Sequence, residues 1–456
     1  MLTYLKIKNN FLISIYIIIN TNLLLFTASL NFTMINKDIL KDLNELLIIK
    51  SLPQEAEKNA PFGKSMRQTL DWFLAKAKEY GLNTHDGSGY YGWAELSNSD
   101  KNAPMFAVLA HLDVVGVNET EWSIPPFALT NKDGNLYGRG VVDNKGPAVV
   151  MLHVLKKIKD KNTQLKHRIR LICGCNEESG SKCLKHYAEV DEIPSFCMVP
   201  DADFPCINSE KGIMHFTVSC KLDDGFNKNI AYLYFGDKTT LNVIPDTAKV
   251  VANNEELVFK GIAGHAMNPD KGDNAAWKMF EYLSQYSPLI EKIFELFCNK
   301  EAKKMLNIDY SDRQSGILTM SLNHGEVIDD ELHLSFDMRL PISANKDEVL
   351  KRIEKAFDCT TKVIAYKHNL FIDENSPLVQ TFLKVYREST GESLRPVQTG
   401  GGTYARELPN AVAFGPTFPN IQTNIHNKDE CISEENFEKW LDIYYKAILE
   451  LDKTSL

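Results

Sequence analysis

Glu177 and Glu178 stand side by side in LICGCNEESGSKC, flanked by Cys173, Cys175 and Cys183. Adjacent carboxylates repel each other, and the three sulfurs offer a rival reading as thiolate metal ligands. Elsewhere His111 and Asp113 lie two residues apart in AHLDVV. Asp143 sits in GRGVVDNKGP, Asp201 follows SFCMVP, and His426 opens HNKDE. Imidazole and carboxylate are the ligands of hydrolytic zinc, manganese or cobalt sites. Residues two apart in an extended segment face the same way. Asp113 can therefore accept a hydrogen bond from the His111 ring nitrogen that does not bind metal, fixing the tautomer and raising ligand basicity. Of the eleven histidines, only His265, in GHAMNPDKGDNAA, shares such a motif-like context with His111 and His426. Singly, each residue has a bland explanation: Asp143 as a helix cap, the glutamates as an acidic turn favoured by a helix dipole.

The elements that must position these residues argue for more. MFAVLA is a near-continuous apolar run, as a strand buried on both faces should be. RIRLICGC reads as a strand, then a short helix, then SFCMVP as another strand. GPAVVMLHVLKKIKD is a helix with Pro147 in its first turn. SMRQTLDWFLAKAKEYG reads as an amphipathic helix with a capping box of Ser65 and Gln68 and a stop at Gly81. This βαβ rhythm predicts a mostly parallel sheet covered by helices. Open α/β sheets bind ligands beyond the carboxyl ends of their strands. His111 and Asp113, Glu177 and Glu178, Asp201 and His426 all follow predicted strands, with Asp143 in the turn before a helix. Repeated placement of metal-ligand types at one sheet edge outweighs the bland readings. Cys173 and Cys175 alternate on a buried strand, so the sulfurs are read as packing.

After about Lys211 the texture changes. GIMHFTVSC and ELHLSFDMRLP alternate as half-exposed strands do, around two predicted helices, which suggests an α+β domain inserted in the first. The expected organisation is 34–211 and 373–456 for an α/β catalytic domain and 212–372 for the insertion. Residues 1–33 carry a basic start and an apolar run broken at Asn20, Thr21 and Asn22. They read as a hydrophobic leader or a non-native extension, with Met34 as the effective start of the folded protein.

The chain has 456 residues, 44% of them hydrophobic, and a formal charge of −9 without a basic patch. It can bury more than one core, and nothing invites nucleic acid. Nine scattered cysteines do not form a secreted disulfide framework.

AHLDVV, GRGVVDNKGP, NEESG, PDADFP, GHAMNPDKGDNAA, FDMRLP, GGGTYAR and HNKDE occur in this order. Together they resemble the two-zinc metallopeptidases of the aminoacylase and carnosinase type, most closely the PepV-like bacterial dipeptidases, over nearly everything from Met34 onward. The resemblance implies a catalytic α/β domain with an inserted, ferredoxin-like α+β lid. It implies two zinc ions per chain, with manganese or cobalt as alternatives. His111 and Asp201 would bind one ion, Glu178 and His426 the other, and Asp143 would bridge them. Glu177 would be the general base for a bridging water, and Asp113 the partner of His111. From the lid, His265 would stabilise the oxyanion, Arg339 would hold the substrate carboxylate and Asn242 would assist. Gly400, Gly401 and Gly402 would line the substrate pocket.

The implied reaction is hydrolysis of dipeptides with a free amino end and a free carboxylate; removal of an acyl group from an amino acid is the rival on this scaffold. The implied enzyme is cytoplasmic, a monomer or homodimer. It would be exported or membrane-anchored only if the N-terminal apolar segment is retained. Two departures stand out: Gly116 replaces a proline usual after HLDVV, and Asn144 occupies a position often filled by a second Asp. A nucleotide-binding reading of GRGVVDNKG fails because the stretch lacks the full glycine pattern and places an acid before its helix.

Overall fold

The computed structural model describes residues 37–98, 100–357 and 359–454. Four apolar runs are parallel neighbours at the centre of a nine-stranded sheet: Arg168–Gly174, Met105–His111, Phe196–Val199 and Ala411–Ala413. Every residue of Met105–His111 and Phe196–Val199 is buried, as helices on both faces require. Antiparallel strands extend both sides: Tyr91–Leu96 and Asn83–Asp86 on one, Ile207–Glu210 and Leu370–Phe371 on the other. Helices Lys37–Leu47, Lys64–Glu79, Lys145–Asp160, Pro377–Thr390 and Glu434–Leu451 contribute their apolar faces to the same core. Ile39, Leu43, Leu46 and Leu47 carry the first of these into it; Ile35, the extension before Met34 and the rest of residues 1–36 lie outside the described residues. Among the described residues no helix is long and apolar enough to cross a membrane.

One sequence expectation fails locally. The helix Lys64–Glu79 begins at Gly63, whose φ of 94° turns the chain, so Ser65 lies inside the first turn and makes no capping box. The Gln54 side chain takes that role from a distance, accepting the Ser65 N–H at 3.3 Å, while Ser65 Oγ donates to the Leu52 carbonyl.

A second sheet holds seven strands, all antiparallel, in the order Glu255–Lys260, Thr247–Ala252, Ile230–Phe235, Thr319–Ile328, Glu331–Leu340, Gly212–Lys221, Thr360–Lys367. Helices Ala275–Leu283, Pro288–Phe297 and Lys346–Phe357 pack on it. Its core draws only on residues between Met214 and Phe357, whereas the first core draws on residues up to Ile207 and from Leu378 onward. The fold is therefore a mainly parallel α/β sheet with an α+β unit inserted in the chain. The chain leaves the first sheet through Lys211 and is back in it at Leu370–Phe371.

Cys173 lies on its strand, Cys175 just past the strand end, and Cys183 on the helix Lys182–Val190; all three are buried and free. Burial pushes the Cys183 thiol up to about 12 and raises those of Cys173 and Cys175 well above the ordinary thiol value. Such thiols stay protonated and pack as small apolar groups. The double variant Cys173→Ala/Cys175→Ala is expected to lose about 1–3 kcal/mol of stability and keep its full metal content. Calorimetry and metal analysis on the same sample check this; a metal-depleted but folded product contradicts it.

Candidate active site

His111 ends the central strand Met105–His111, Glu177 and Glu178 follow Arg168–Gly174, and Asp201 follows Phe196–Val199. Asp143 sits in the turn before the helix Lys145–Asp160, and His426 in the loop beyond Ala411–Ala413. The parallel strands end at one edge of the sheet, so these side chains converge there. His111 Nε2 lies 2.9 Å from Asp143 Oδ1 and 3.5 Å from Asp201 Oδ2. His426 Nε2 lies 2.8 Å from Asp143 Oδ2 and 3.2 Å from Glu178 Oε2. The two oxygens of one carboxylate thus face two different imidazoles. Ligand atoms of His111, Glu177 and Asp201 lie within 4.8 Å of one another, as do those of His111, Asp143 and Glu178.

Electrostatics make this cluster demanding. Burial would lower the His111 pKa, but Asp201, Asp113 and Asp143 raise it well above its usual value. Burial likewise opposes the charge of His426, and Asp143 and Glu178 lift it to about 11. Burial works against Asp143 too, yet His111 and His426 hold its carboxyl well below the usual range. The remaining carboxyls go the other way. Burial and Asp143 push Asp201 up to about 7. Burial, Asp201 and Glu178 raise Glu177 well above its ordinary value, and burial and Asp143 raise Glu178. Asp201, Glu177 and Glu178 therefore hold protons more tightly than ordinary carboxyls unless further positive charge enters. Glu178 Oε1 is moreover a buried oxygen without a hydrogen-bond partner, an arrangement that calls for an ion or other ligand. The donor set of imidazole and carboxylate fits zinc, manganese or cobalt.

Three supports hold the cluster in place. His111 Nδ1 donates to the Asp113 main-chain carbonyl at 3.0 Å, with the Asp113 carboxylate at 3.4 Å. A carbonyl can only accept, so Nδ1 carries a proton in either charge state and Nε2 is the ring atom turned to the carboxylates. The Asp113 carboxylate does something the sequence did not reveal: it accepts the backbone N–H groups of Glu177 and Glu178, each at 3.0 Å. One anion therefore sets the orientation of the adjacent glutamates. Asn144 also has a positive role. Its amide donates to the Pro200 carbonyl at 2.5 Å and to Asp201 Oδ1 at 3.2 Å. An Asp there could only accept and would repel Asp201.

The third support, Glu430, was missed by the sequence reading. It is fully buried and accepts from Arg139 Nη1 at 2.6 Å and from the N–H groups of Gly140, Val142 and Asp143 at 3.1, 2.8 and 3.1 Å. It shares HNKDE with His426, and Arg139 lies in the motif of Asp143. That shared motif membership was the available signal.

Among the described residues, those expected from the inserted unit make no hydrogen bond or ion pair with the carboxylate cluster, although His265 feels the charge of His426. His265 pairs across from Val243, next to Asn242, and its Nδ1 accepts the Met267 N–H at 3.0 Å. Burial and Arg339 lower its pKa, so it is a neutral imidazole whose Nε2 carries a proton to donate. The Asn242 side chain is exposed. Arg339 is buried, and its fork is partly spent: Nε and Nη2 donate to Asp337 at 2.6 and 2.7 Å, and Nη1 to the Gly400 carbonyl at 2.8 Å. Two of its five N–H groups remain. Two glycines of the loop each face one of the protein's own side chains. A Cβ on Gly400 would meet Met267 Cγ at 2.8 Å, and one on Gly402 would meet Arg406 Nη2 at 2.3 Å.

Residues 107–450 match the model of peptidase family M20/M25/M40. The chain belongs to this family. Among relatives, "Putative dipeptidase YtjP" of Bacillus subtilis is 31% identical, covering 91% of this chain and 98% of its own length. "Putative dipeptidase SH1171" of Staphylococcus haemolyticus is 29% identical, covering 91% and 97%. Among solved structures, human carnosine dipeptidase 1 superposes with a TM-score of 0.59 at 15% identity, covering 92% of this chain and 96% of its own. The YXEP protein of Bacillus subtilis, described as a dinuclear metal binding peptidase, gives 0.55 at 11%, covering 92% and 100%. These structures share the M20 fold.

Removing Glu430 leaves Arg139 buried and uncompensated. Glu430→Ala in this M20 chain is expected to cost about 3–5 kcal/mol of stability and to weaken metal binding about 10- to 100-fold. Denaturant unfolding and competitive metal titration check the two effects. Unchanged metal affinity would show that Glu430 does not position Asp143.

Proposed function

We propose that this M20 peptidase is a zinc-dependent dipeptidase, hydrolysing dipeptides with a free amino end and a free carboxylate. The observation that carries the reading is the carboxylate of Asp143, whose two oxygens face His111 on one side and His426 on the other. His111 and Asp201 would hold one ion, Glu178 and His426 the other, and Asp143 would belong to both. Bound there, two cations supply Lewis acidity and lower the pKa of the attacking water towards neutrality. The names of the curated relatives support the choice of dipeptides among peptidase substrates.

The chain's own residues divide the remaining work. Glu177 takes the proton of the attacking water and delivers it to the leaving amine. Its carboxylate makes no hydrogen bond to another side chain among the described residues, and burial and neighbouring carboxylates raise its proton affinity. Asp113 holds its backbone, so the base is aimed before substrate arrives. The inserted unit acts as a lid. From it, His265 donates Nε2–H to the developing oxyanion in a site drier than open solvent. The two uncommitted N–H groups of Arg339 take the substrate's terminal carboxylate, assisted by Asn242.

Purified, metal-loaded protein assayed on unblocked dipeptides and on N-acyl amino acids tests the substrate class. Turnover of the dipeptides is expected; exclusive turnover of the acylated set contradicts it. Glu177→Gln is expected to retain both metals while kcat falls roughly 100- to 10,000-fold. Turnover like the wild type in that variant refutes Glu177 as the base.

A further inference from the structure

Arg406 ends GGGTYAR, and nothing in the reaction above uses it. Its side chain is 1% exposed and all three of its nitrogens are engaged. Nε and Nη2 meet Glu210 Oε2 at 2.9 and 2.8 Å. Nη2 also donates to the Gly401 carbonyl at 2.8 Å. Nη1 donates to the carbonyls of Lys211 at 3.3 Å and His368 at 2.9 Å. Those two carbonyls belong to the two segments by which the chain leaves the first sheet and returns to it. Glu210 in turn accepts from Thr403 Oγ1 at 2.8 Å. One buried ion pair therefore grips both crossovers and the glycine loop together. The loop's other side meets the inserted unit through the Arg339–Gly400 hydrogen bond.

We propose that Arg406, oriented by Glu210, is a positioning residue that couples the placement of the inserted unit to the glycine loop. This rests on the reading of that unit as a lid over the catalytic cluster. A rotation of the lid about its two connections moves the carbonyls of Lys211 and His368 against a rigid, planar guanidinium. The same plane holds Gly401, so the loop follows. A buried pair serving stability alone has no need of this arrangement, since apolar residues of similar volume often serve as well or better. Lysine keeps the charge opposite Glu210 but is a point donor that cannot reach Glu210 and three carbonyls at once.

The test compares the wild type, Arg406→Lys and the double variant Arg406→Met/Glu210→Met, all metal-loaded. Hydrogen exchange at the crossovers and at residues 399–406 is read without substrate. A chain that cleaves no dipeptide would refute the proposed function and leave this reading intact. Arg406→Lys is expected to speed exchange at both crossovers and the glycine loop together, with the strand Met105–His111 unchanged. On a dipeptide that the wild type cleaves, kcat/KM falls about 100-fold, mainly through KM, with full metal content. The double variant is expected to stay defective even where its melting temperature recovers. Wild-type exchange and KM in Arg406→Lys would overturn the proposal. So would a double variant that regains both stability and KM, because the pair would then be structural only.

Discussion

Asp143 has to satisfy two imidazoles with one carboxylate, and the site is organised around that sharing. His111 and His426 come from elements far apart in the chain, yet their Nε2 atoms sit at almost equal distances from the two oxygens. Asp201 and Glu178 stand outside these imidazoles, one on each side. So many carboxyl groups in a space of low dielectric are unstable as bare anions. Binding of cations converts that electrostatic fault into affinity, and the raised proton affinities of Asp201, Glu177 and Glu178 are its signature in the protein alone.

Sharing one carboxylate leaves little tolerance in position, and the surrounding structure supplies it. Glu430 fixes the backbone of Asp143 through three N–H groups, with its own charge answered by Arg139. Asn144 ties the turn to the end of the Asp201 strand. Asp113 orients His111 through its carbonyl and the glutamate pair through its carboxylate. The repulsion between Glu177 and Glu178 is thus managed by a third anion binding their N–H groups. The cysteines beside them are closed inside the core with their protons held by burial.

The sheet and the convergence of His111, Asp143, Glu178, Asp201 and His426 were legible because both follow from local pattern. Apolar runs predict buried strands, and a parallel sheet carries whatever follows each strand to one edge. Apart from Asp113 beside His111, the supports were not legible. Arg139 and Glu430, or Glu210 and Arg406, are separated by hundreds of residues, and no periodicity links a buried acid to its distant base. Arg339 shows the same limit: the resemblance gave it a substrate carboxylate to hold, but Asp337 lies two residues away on its strand and takes two of its five N–H groups. The capping box at Ser65 failed for a smaller reason, because Gly63 starts the helix two residues earlier and hands the cap to Gln54.

Anomalous diffraction from crystals of the zinc-loaded protein tests the central claim most directly. Two peaks about 3.5–4 Å apart are expected, both within ligand distance of Asp143, one beside His111 and Asp201 and the other beside Glu178 and His426. A single peak, or two ions that do not share Asp143, would contradict the account.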